Sequence, residues 1–542
     1  MSRKEFIFQV LFLILVGFIF LLPLINNSFY LTHDGQAQVA RFGAYIKSFS
    51  NGEFPFRWAG DLNYRYGSPV LIFYYPLTGI LTVPLYFAGI SLESSFKLII
   101  GASFILSFLS FFLWMRELTK KIEASLFGSI LYGLIPYHFL NLYVRGDIAE
   151  SLALALAPLI FYSIEKLRET RNIKYVGLSA ILYALTILSH NSVSLLISPV
   201  ILVYSILRST DKKMIYLNLV SIVLGLGLSA FFWIPAIMES KYTNSHLFIS
   251  DMYKDNFPSF FKLIYSSWGT GANVNDSNGL SPQIGIIPWI FVISSIFLVK
   301  KVKKMRDQFA FWLIVFFTSV FFTISYSDVF WKYIPLLSML QFPWRIIGIA
   351  SFSAAVIATL VATYINKAIL YLLMLVVICY SIGFTAIKLI PSKTNSFYFN
   401  YPGTTYYHGQ ASSIWTAGDF GSYPKKDLEI ISGKGKVYQI VRRNNEHSFR
   451  VDSKNGIAIL DNTVFFPGWQ VDINGQRVPI EFQDINHRGL ITFKVPPGQK
   501  NVDIVFRESP LRLLSDLLSI SGLFGIFIVL IFSKKIGKIL YK

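Results

Sequence analysis

Several short clusters in this chain combine residue types that can do chemistry, and each lies beside a long apolar run. The first is His33-Asp34-Gly35, followed by Gln36, Gln38 and Arg41. A carboxylate at Asp34 can serve as a general base or a metal ligand. It can equally cap a helix that begins near Gln36. The second cluster is Arg145-Gly146-Asp147-Ile148-Ala149-Glu150. Asp147 and Glu150 share a face on a nascent helix, and a helix N-terminus also favours acidic groups with no chemistry involved. Arg145 can pair internally or hold a substrate phosphate. In Ser189-His190-Asn191-Ser192, His190 can cap, titrate or ligate. In Gln341-Phe342-Pro343-Trp344-Arg345, Arg345 suits a lipid phosphate, although a snorkelling interface anchor looks the same. Arg57, Arg65 and Lys332 are further phosphate candidates.

The elements that must position these residues are membrane helices. The chain has 542 residues, 54% of them hydrophobic, and a mean hydropathy of +0.52. A soluble protein of this size has difficulty burying that much apolar side chain. The apolar residues also fall in blocks of about 20, the length that crosses a hydrocarbon core as helix. These blocks cover about 6–25, 95–115, 123–141, 150–164, 175–190, 192–207, 215–237, 284–300, 308–325, 346–363, 367–389 and 512–533. The first reads as an uncleaved span: it is longer than a signal h-region and runs into Pro23 and Asn26-Asn27.

The net charge of +19 hints at nucleic acid, but its placement argues against that partner. The cations gather in short loops, namely Arg116/Lys120/Lys121, Lys166/Arg168/Arg171/Lys174, Arg208/Lys212/Lys213, Lys300/Lys301/Lys303/Lys304/Arg306 and a tail of Lys534/Lys535/Lys538/Lys542. This is the positive-inside bias, and it puts both termini in the cytoplasm. The block Val70–Ile90 breaks the alternation of sides. Its Phe73-Tyr74-Tyr75-Pro76 and Pro84 suit a segment lying in the outer interface rather than crossing it. The long connections 26–94, 239–282, 326–345 and 390–511 then all face outward, so any chemistry belongs on the extracytoplasmic side. Cys379 is the sole cysteine, so an outer domain must be stable without an internal disulfide.

Region 390–511 changes character. Val437–Val441, Trp469–Ile473, Ile491–Val495 and Val502–Phe506 alternate with period two, as half-buried strands do. Asn474-Gly475 is a hairpin turn signal, because both residues tolerate positive φ. The expected organisation is a polytopic α-helical membrane protein of about twelve transmembrane helices. It divides into a transmembrane domain over 1–389, an extracytoplasmic antiparallel β-domain of sandwich or jelly-roll type over 390–511, and a last span with a basic tail over 512–542. No glycine-rich phosphate loop, His-Glu-x-x-His, Cys-x-x-Cys or Gly-x-Ser-x-Gly occurs. The spans also lack the mid-membrane acids of proton-coupled transporters.

A span, an outer loop opening on an acid, a Phe-Tyr-Tyr-Pro segment and a second acidic outer loop together resemble the GT-C superfamily of polyprenyl-phosphate-dependent glycosyltransferases. The four clusters look more closely like the 6-pyruvoyl-tetrahydropterin synthase-related membrane protein family. Phe466-Pro467-Gly468-Trp469 and Asn474-Gly475, leading into a final span, are similar to the C-terminal part of YfhO-like proteins. The resemblance implies an inverting glycosyltransferase of the cell membrane. Its donor is a sugar on a polyprenyl phosphate, and its acceptor is an extracytoplasmic glycan, lipid or protein. Asp34 matches the catalytic acid of the first loop. Asp147 and Glu150, with Asp34, match positions where some members hold a divalent cation, Mg or Mn. His33, Arg145, His190, Arg345, Lys332 and Arg57 are the substrate-binding candidates. His-Asp stands where many members carry paired acids, which bears on whether metal is used. A lipid-linked saccharide transporter or flippase, or a non-catalytic scaffold for envelope glycan assembly, are the alternative readings.

Overall fold

The computed structural model describes residues 3–245, 247, 251–299, 305–406 and 409–540. Lys300, Lys301, Lys303, Lys304 and Lys542 of the expected basic loops lie outside them. Each apolar block is largely helical, but fewer are long straight spans than the twelve expected. Among the described residues, six helices are long and apolar enough to cross a membrane, or up to eight if two bent pairs each count as one span.

The shortfall has local causes. Helix α1 (Arg3–Ile19) ends before a short turn containing Pro23. The block expected over 123–141 splits into α6 (Ile122–Gly133), a single turn α7 (Pro136–Phe139) and a π-helical turn over Leu140–Arg145. Ile135 is forced into extended backbone by the proline that follows it. Helices α11 (Lys212–Leu228) and α12 (Ala230–Met238) meet at 69° across Ser229. Helix α9 (Lys174–Ser189) has 16 residues and Ile286–Leu298 has 13. At about 1.5 Å rise per residue these helices fall short of the hydrocarbon thickness.

The helices that position the site are the most enclosed. Of the strongest 18-residue window, 89% is buried in α8 (Ile148–Thr170) and 94% in Pro343–Ala362, against 17% in the last span, Pro510–Ile531. Helix α8 packs closely on α5 (Leu92–Thr119) and α9. The first long connection contributes α2 (Gly35–Ser50), α3 (Val70–Phe73) and α4 (Leu77–Phe87). Val70–Ile90 is therefore two short helices broken at Tyr74-Tyr75-Pro76. Leu81 and Phe87 of α4 remain exposed, as expected of a segment lying at an interface.

The C-terminal region is an antiparallel β-domain. Strands β1 (Phe29–Tyr30) and β2 (Leu389–Ile390) pair across the chain and tie the first long connection to the entry of this domain. The main sheet contains β3 (Leu428–Arg442), β4 (Glu446–Val464), β5 (Trp469–Ile473), β6 (Gln476–Val478), β7 (Leu490–Val495) and β8 (Gly498–Phe506). Its order is β3-β4-β8-β5-β6, with β7 also on β4. The 19-residue β4 gives its first half to β8 and its second half to β7. The turn at Asn474-Gly475 joins β5 to β6 with φ of 50° and 79°, as its composition requires. Trp58, from the first long connection, lies in this domain's core against Trp469 and Phe506, at ring distances of 5.3 and 5.2 Å. Gly67 has φ 81°, and a Cβ there would fall 2.5 Å from the Trp58 ring.

Candidate active site

The two acidic loops come together through their backbones. His33 N donates to Val144 O (3.0 Å) and Asp34 N to Arg145 O (2.9 Å). Gly146 makes the contact feasible: its φ is 65°, and a Cβ would lie 2.5 Å from Thr32 Oγ1. Asp34 stands at the N-cap of α2 but makes no side-chain capping bond. Thr32 Oγ1 accepts from Gly35 N instead (3.0 Å). Among the described residues no donor reaches the Asp34 carboxylate. Asp34 keeps solvent access while protein surrounds it closely, so it lies in a recess. Desolvation there pushes its carboxyl above the ordinary value and the Asp147 charge adds to this, with Arg145, Arg41 and His33 opposing. His33 sits at the rim, its Nε2 2.8 Å from Thr270 O.

The second loop is built differently. The π-helical turn and the N-terminus of α8 bury Arg145, Asp147 and Glu150 almost completely. π turns recur at functional sites, and this one places Arg145 Nη1 2.5 Å from Asn141 Oδ1. The guanidinium then bridges both acids, with Nη1 2.6 Å from Glu150 Oε2 and Nη2 2.7 Å from Asp147 Oδ2. The remaining oxygens are also taken. Tyr137 Oη donates to Glu150 Oε1 (2.5 Å), and Glu150 N donates to Asp147 Oδ1 (2.9 Å) as a helix cap. Burial pushes the Asp147 carboxyl up, but Arg145, His190, the Glu150 amide and Arg345 outweigh it and hold it below the ordinary range.

His190 caps α10 (Asn191–Arg208), its Nδ1 accepting from Val193 N (3.3 Å). Burial lowers its pKa against the pull of Asp147 and Glu150. The ring is therefore neutral at pH 7 with its proton on Nε2, which faces Asp147 Oδ2 at 3.8 Å. Asp147, Glu150 and His190 offer ligand atoms within 4.8 Å of one another, a spacing that suits a metal. As arranged, the set does not fit a divalent cation. Each carboxylate oxygen already accepts a hydrogen bond, Nε2 carries a proton, and the Arg145 guanidinium lies between the two carboxylates. A guanidinium thus lies between the two acids on which a cation was expected. The reason is Arg145 itself, which the π turn directs inward.

Arg345 begins the enclosed helix Pro343–Ala362. Its Nη1 donates to Leu340 O and Gln341 Oε1, both at 2.9 Å, while its buried Nε has no hydrogen-bond partner. Gln341 holds a positive φ of 67° to form this turn. Arg41 belongs to the same recess; the sequence places it in the first cluster but assigns it no role. It lies two helical turns after Asp34 on one face of α2, 4% exposed, with its guanidinium 3.9 Å from the centroid of the Tyr74 ring. Its buried Nη1 also has no partner. Arg41 and Arg345 both act electrostatically on the hydroxyls of Tyr74 and Tyr75, and Tyr75 packs on His190 with ring centroids 4.7 Å apart. The break at Tyr74-Tyr75-Pro76 therefore delivers two tyrosines to the recess. The i, i+7 spacing of Asp34 and Arg41 was the available signal.

Two expected substrate contacts lie elsewhere. Arg57 is bound to Glu508 Oε1 (2.9 Å), Asp516 Oδ1 (2.8 Å) and Phe231 O (2.7 Å), joining the first long connection to the start of the last apolar helix. Three of its five N–H donors are engaged in this way, two of them by carboxylates far along the chain. Lys332 is exposed, its ammonium 5.4 Å from the Tyr333 ring. Among the described residues no contact joins it to the recess.

A family model described as "6-pyruvoyl-tetrahydropterin synthase related domain; membrane protein" matches residues 71–391. That stretch holds Arg145, Asp147, Glu150, His190 and Arg345 but begins after Asp34. An uncharacterised protein of Lactococcus lactis subsp. cremoris (strain MG1363) is 23% identical over 373 residues, covering 63% of this chain and 55% of its own length. The chain thus spans little more than half of that relative. Among solved structures, the arabinofuranosyltransferase AftD from Mycobacteria aligns with a TM-score of 0.42 and 14% identity, over 74% of this chain and 27% of that one. A mutant of AftD gives the same score and identity over 70% and 27%.

Proposed function

The chain belongs to the 6-pyruvoyl-tetrahydropterin synthase-related family of membrane proteins, and we propose that it is a membrane glycosyltransferase using a polyprenyl-phosphate sugar donor. The observation that carries this reading is the recess itself. An uncommitted carboxylate, Asp34, feels the Arg41 guanidinium, Arg41 and Arg345 both act on Tyr74 and Tyr75, and each arginine retains an unpartnered buried nitrogen. Transfer from a lipid phosphate needs such a pair of functions. Asp34 accepts the proton of the acceptor hydroxyl as its oxygen bonds to the anomeric carbon. The bond from that carbon to the phosphate oxygen breaks on the opposite side, and the polyprenyl phosphate leaves with the electron pair. The developing charge falls on the arginines, and inversion follows from the single displacement. The carboxyl's raised pKa makes it a stronger base than a free aspartate.

In this reading Asp147 and Glu150 do not touch substrate. With Arg145 they form an ion-paired block, one guanidinium against two carboxylates, that holds the second loop against the first. The α8 N-terminus and the helix starting at Pro343 direct their positive ends toward the same region.

The test uses purified protein in nanodiscs with radiolabelled polyprenyl-phosphate sugars, wild type beside Asp34→Asn. Both should bind donor, and only wild type should transfer or hydrolyse it, with a loss of about 10²–10⁴-fold in the variant. The wild-type rate should fall as pH drops through a pKa above the usual carboxylate range. Failure of a folded protein to bind any such donor would sink the assignment in favour of transport or scaffolding.

A further inference from the structure

Helix α2 starts at the Asp34 recess and ends in a second cavity. Its last turns, with Ile46, Lys47 and Ser50, form one wall of a space of about 630 Å³. Eleven residues separate Gly35 from Ile46, so the cavity opens about 16 Å along the axis from the recess. The facing wall is the connection from β3 to β4 at Arg442, Arg443 and Asn444. Tyr86 of α4 and the short helix Asn395–Phe399 complete the lining.

Its chemistry is distinctive. Lys47, Arg65, Arg442 and Arg443 line it, with Asp61 as the only carboxylate in the lining. Lys47 pairs with Asp61 at 2.6 Å. Arg65 and Arg443 are exposed and reach Asp427 and Glu446 only at 3.4 and 3.3 Å. Surface pairs of this kind contribute little and exchange readily. Arg442 is mostly buried. Its Nη2 donates to Arg65 O and Thr463 Oγ1, both at 3.0 Å, while its buried Nη1 has no hydrogen-bond partner. The Asp427 and Asp461 oxygens stand 3.8 Å from that nitrogen, beyond hydrogen-bond reach. Asn51, Asn395 and Asn400 add side-chain amides, and Tyr86 and Phe399 add two ring planes that meet edge to face at 5.6 Å. Asn444 holds the floor, accepting from Gly60 N and donating to Trp58 O.

Ring planes pack on the C–H faces of pyranoses, amides bond their hydroxyls, and guanidiniums take carboxylates or phosphates in bidentate fashion. We propose that this cavity binds a negatively charged oligosaccharide, one whose units carry a carboxylate or a phosphate. A lipid headgroup shares the charge, but the three amides and paired rings spread along the cavity suit a chain of sugar units better. Binding follows from the cavity alone. Its role, holding the non-reacting part of a glycan acceptor while its end reaches Asp34, rests on the glycosyltransferase reading.

The experiment measures binding, not transfer. Full-length protein in neutral phosphatidylcholine nanodiscs is titrated with a short oligogalacturonate and with its uncharged methyl ester. The acid should bind and the ester should bind at least about tenfold more weakly, the loss of one charge-assisted contact. Arg443→Ala with Asn400→Ala, both on exposed side chains, should weaken the acid by a similar factor, while Asp34→Asn should leave it unchanged. Equal binding of acid and ester, or an unaltered double variant, would overturn the proposal. So would loss of binding when phosphatidylglycerol enters the nanodisc, which would make the cavity a lipid site. If transfer is never found but this pattern holds, the catalytic reading fails and the binding site stands.

Discussion

Asp34 and the pair Asp147 and Glu150 occupy neighbouring loops joined by two backbone hydrogen bonds, yet their carboxylates are in opposite states. Asp34 keeps both oxygens uncommitted and is raised by desolvation. Asp147 and Glu150 have every oxygen bonded, and Asp147 is held low by Arg145 despite burial. A proton acceptor needs lone pairs and a pKa that can be matched to its task. A structural acid needs neither. The difference teaches that proximity of acids does not make them equivalent: the arginine between two of them engages both and leaves the third uncommitted.

The largest effect should come from removing that arginine. Arg145→Met strands two buried carboxylates, a loss of about 3–5 kcal/mol by analogy with broken buried pairs. It should appear as a large fall in the thermal midpoint of the nanodisc-embedded protein, followed by tryptophan fluorescence. Asp34→Asn, with no bond to lose, should leave that midpoint nearly in place. An Arg145→Met protein as stable as wild type would mean the cluster is not structural.

How much of this was legible beforehand follows from the length scale of each feature. The loops at Asp34, Asp147, His190 and Arg345 mark themselves by sitting at the ends of apolar runs, and their shared side follows from the basic loops. The turn at Asn474-Gly475 and the strands beside it are set by local backbone preference. What was not legible depends on distant partners or on how a run breaks. Arg57 looked free because Glu508 and Asp516 lie more than 400 residues away in the chain. Strand β4 was missed because Lys454-Asn455-Gly456 interrupts its alternation, although Gly456 at φ 81° is where the strand passes from β8 to β7. The count of twelve spans treated every apolar run as straight, and proline and serine bend or cut several.

A smaller effect tests the other side of the recess. Arg41→Gln removes a guanidinium whose Nη1 has no internal partner, so the fold should lose little more than the stacking on Tyr74. Transfer should fall about 10- to 100-fold, the worth of one or two charge-assisted bonds to phosphate, with the loss carried by donors that bear the phosphate. Steady-state rates at saturating and limiting donor separate this from misfolding. Equal activity of the variant would remove Arg41 from the phosphate site.

Glu53 extends the comparison to a carboxylate of intermediate kind. It accepts from Asn444 at 2.9 and 3.0 Å, but partial burial dominates and raises its pKa from 4.5 to about 7. A raised folded-state value favours the protonated form. Stability is therefore full below the unfolded pKa and declines as pH rises toward 7. Glu53→Gln keeps an acceptor for Asn444 and removes the charge, so it should stabilise the protein by about 1–3 kcal/mol at pH 8 and by nothing at pH 4. Thermal midpoints at the two pH values decide the matter, and a variant destabilised at both would show that the carboxylate is worth more ionised than buried.

The smallest expected effect is none at all, and it bears most directly on the contrast between the loops. If Arg145 occupies the place of a divalent ion, stripping the protein with a chelator leaves transfer unchanged, and added Mg or Mn restores nothing. Should chelation abolish transfer reversibly, the guanidinium must leave Asp147 and Glu150 during turnover to admit an ion. The second loop would then be catalytic, and the low pKa of Asp147 would describe a resting state. Arg145→Lys distinguishes the cases further. A lysine supplies one point charge where the fork bridges two acids, so a purely structural cluster loosens and loses stability, whereas a gate that must open for metal becomes easier to open.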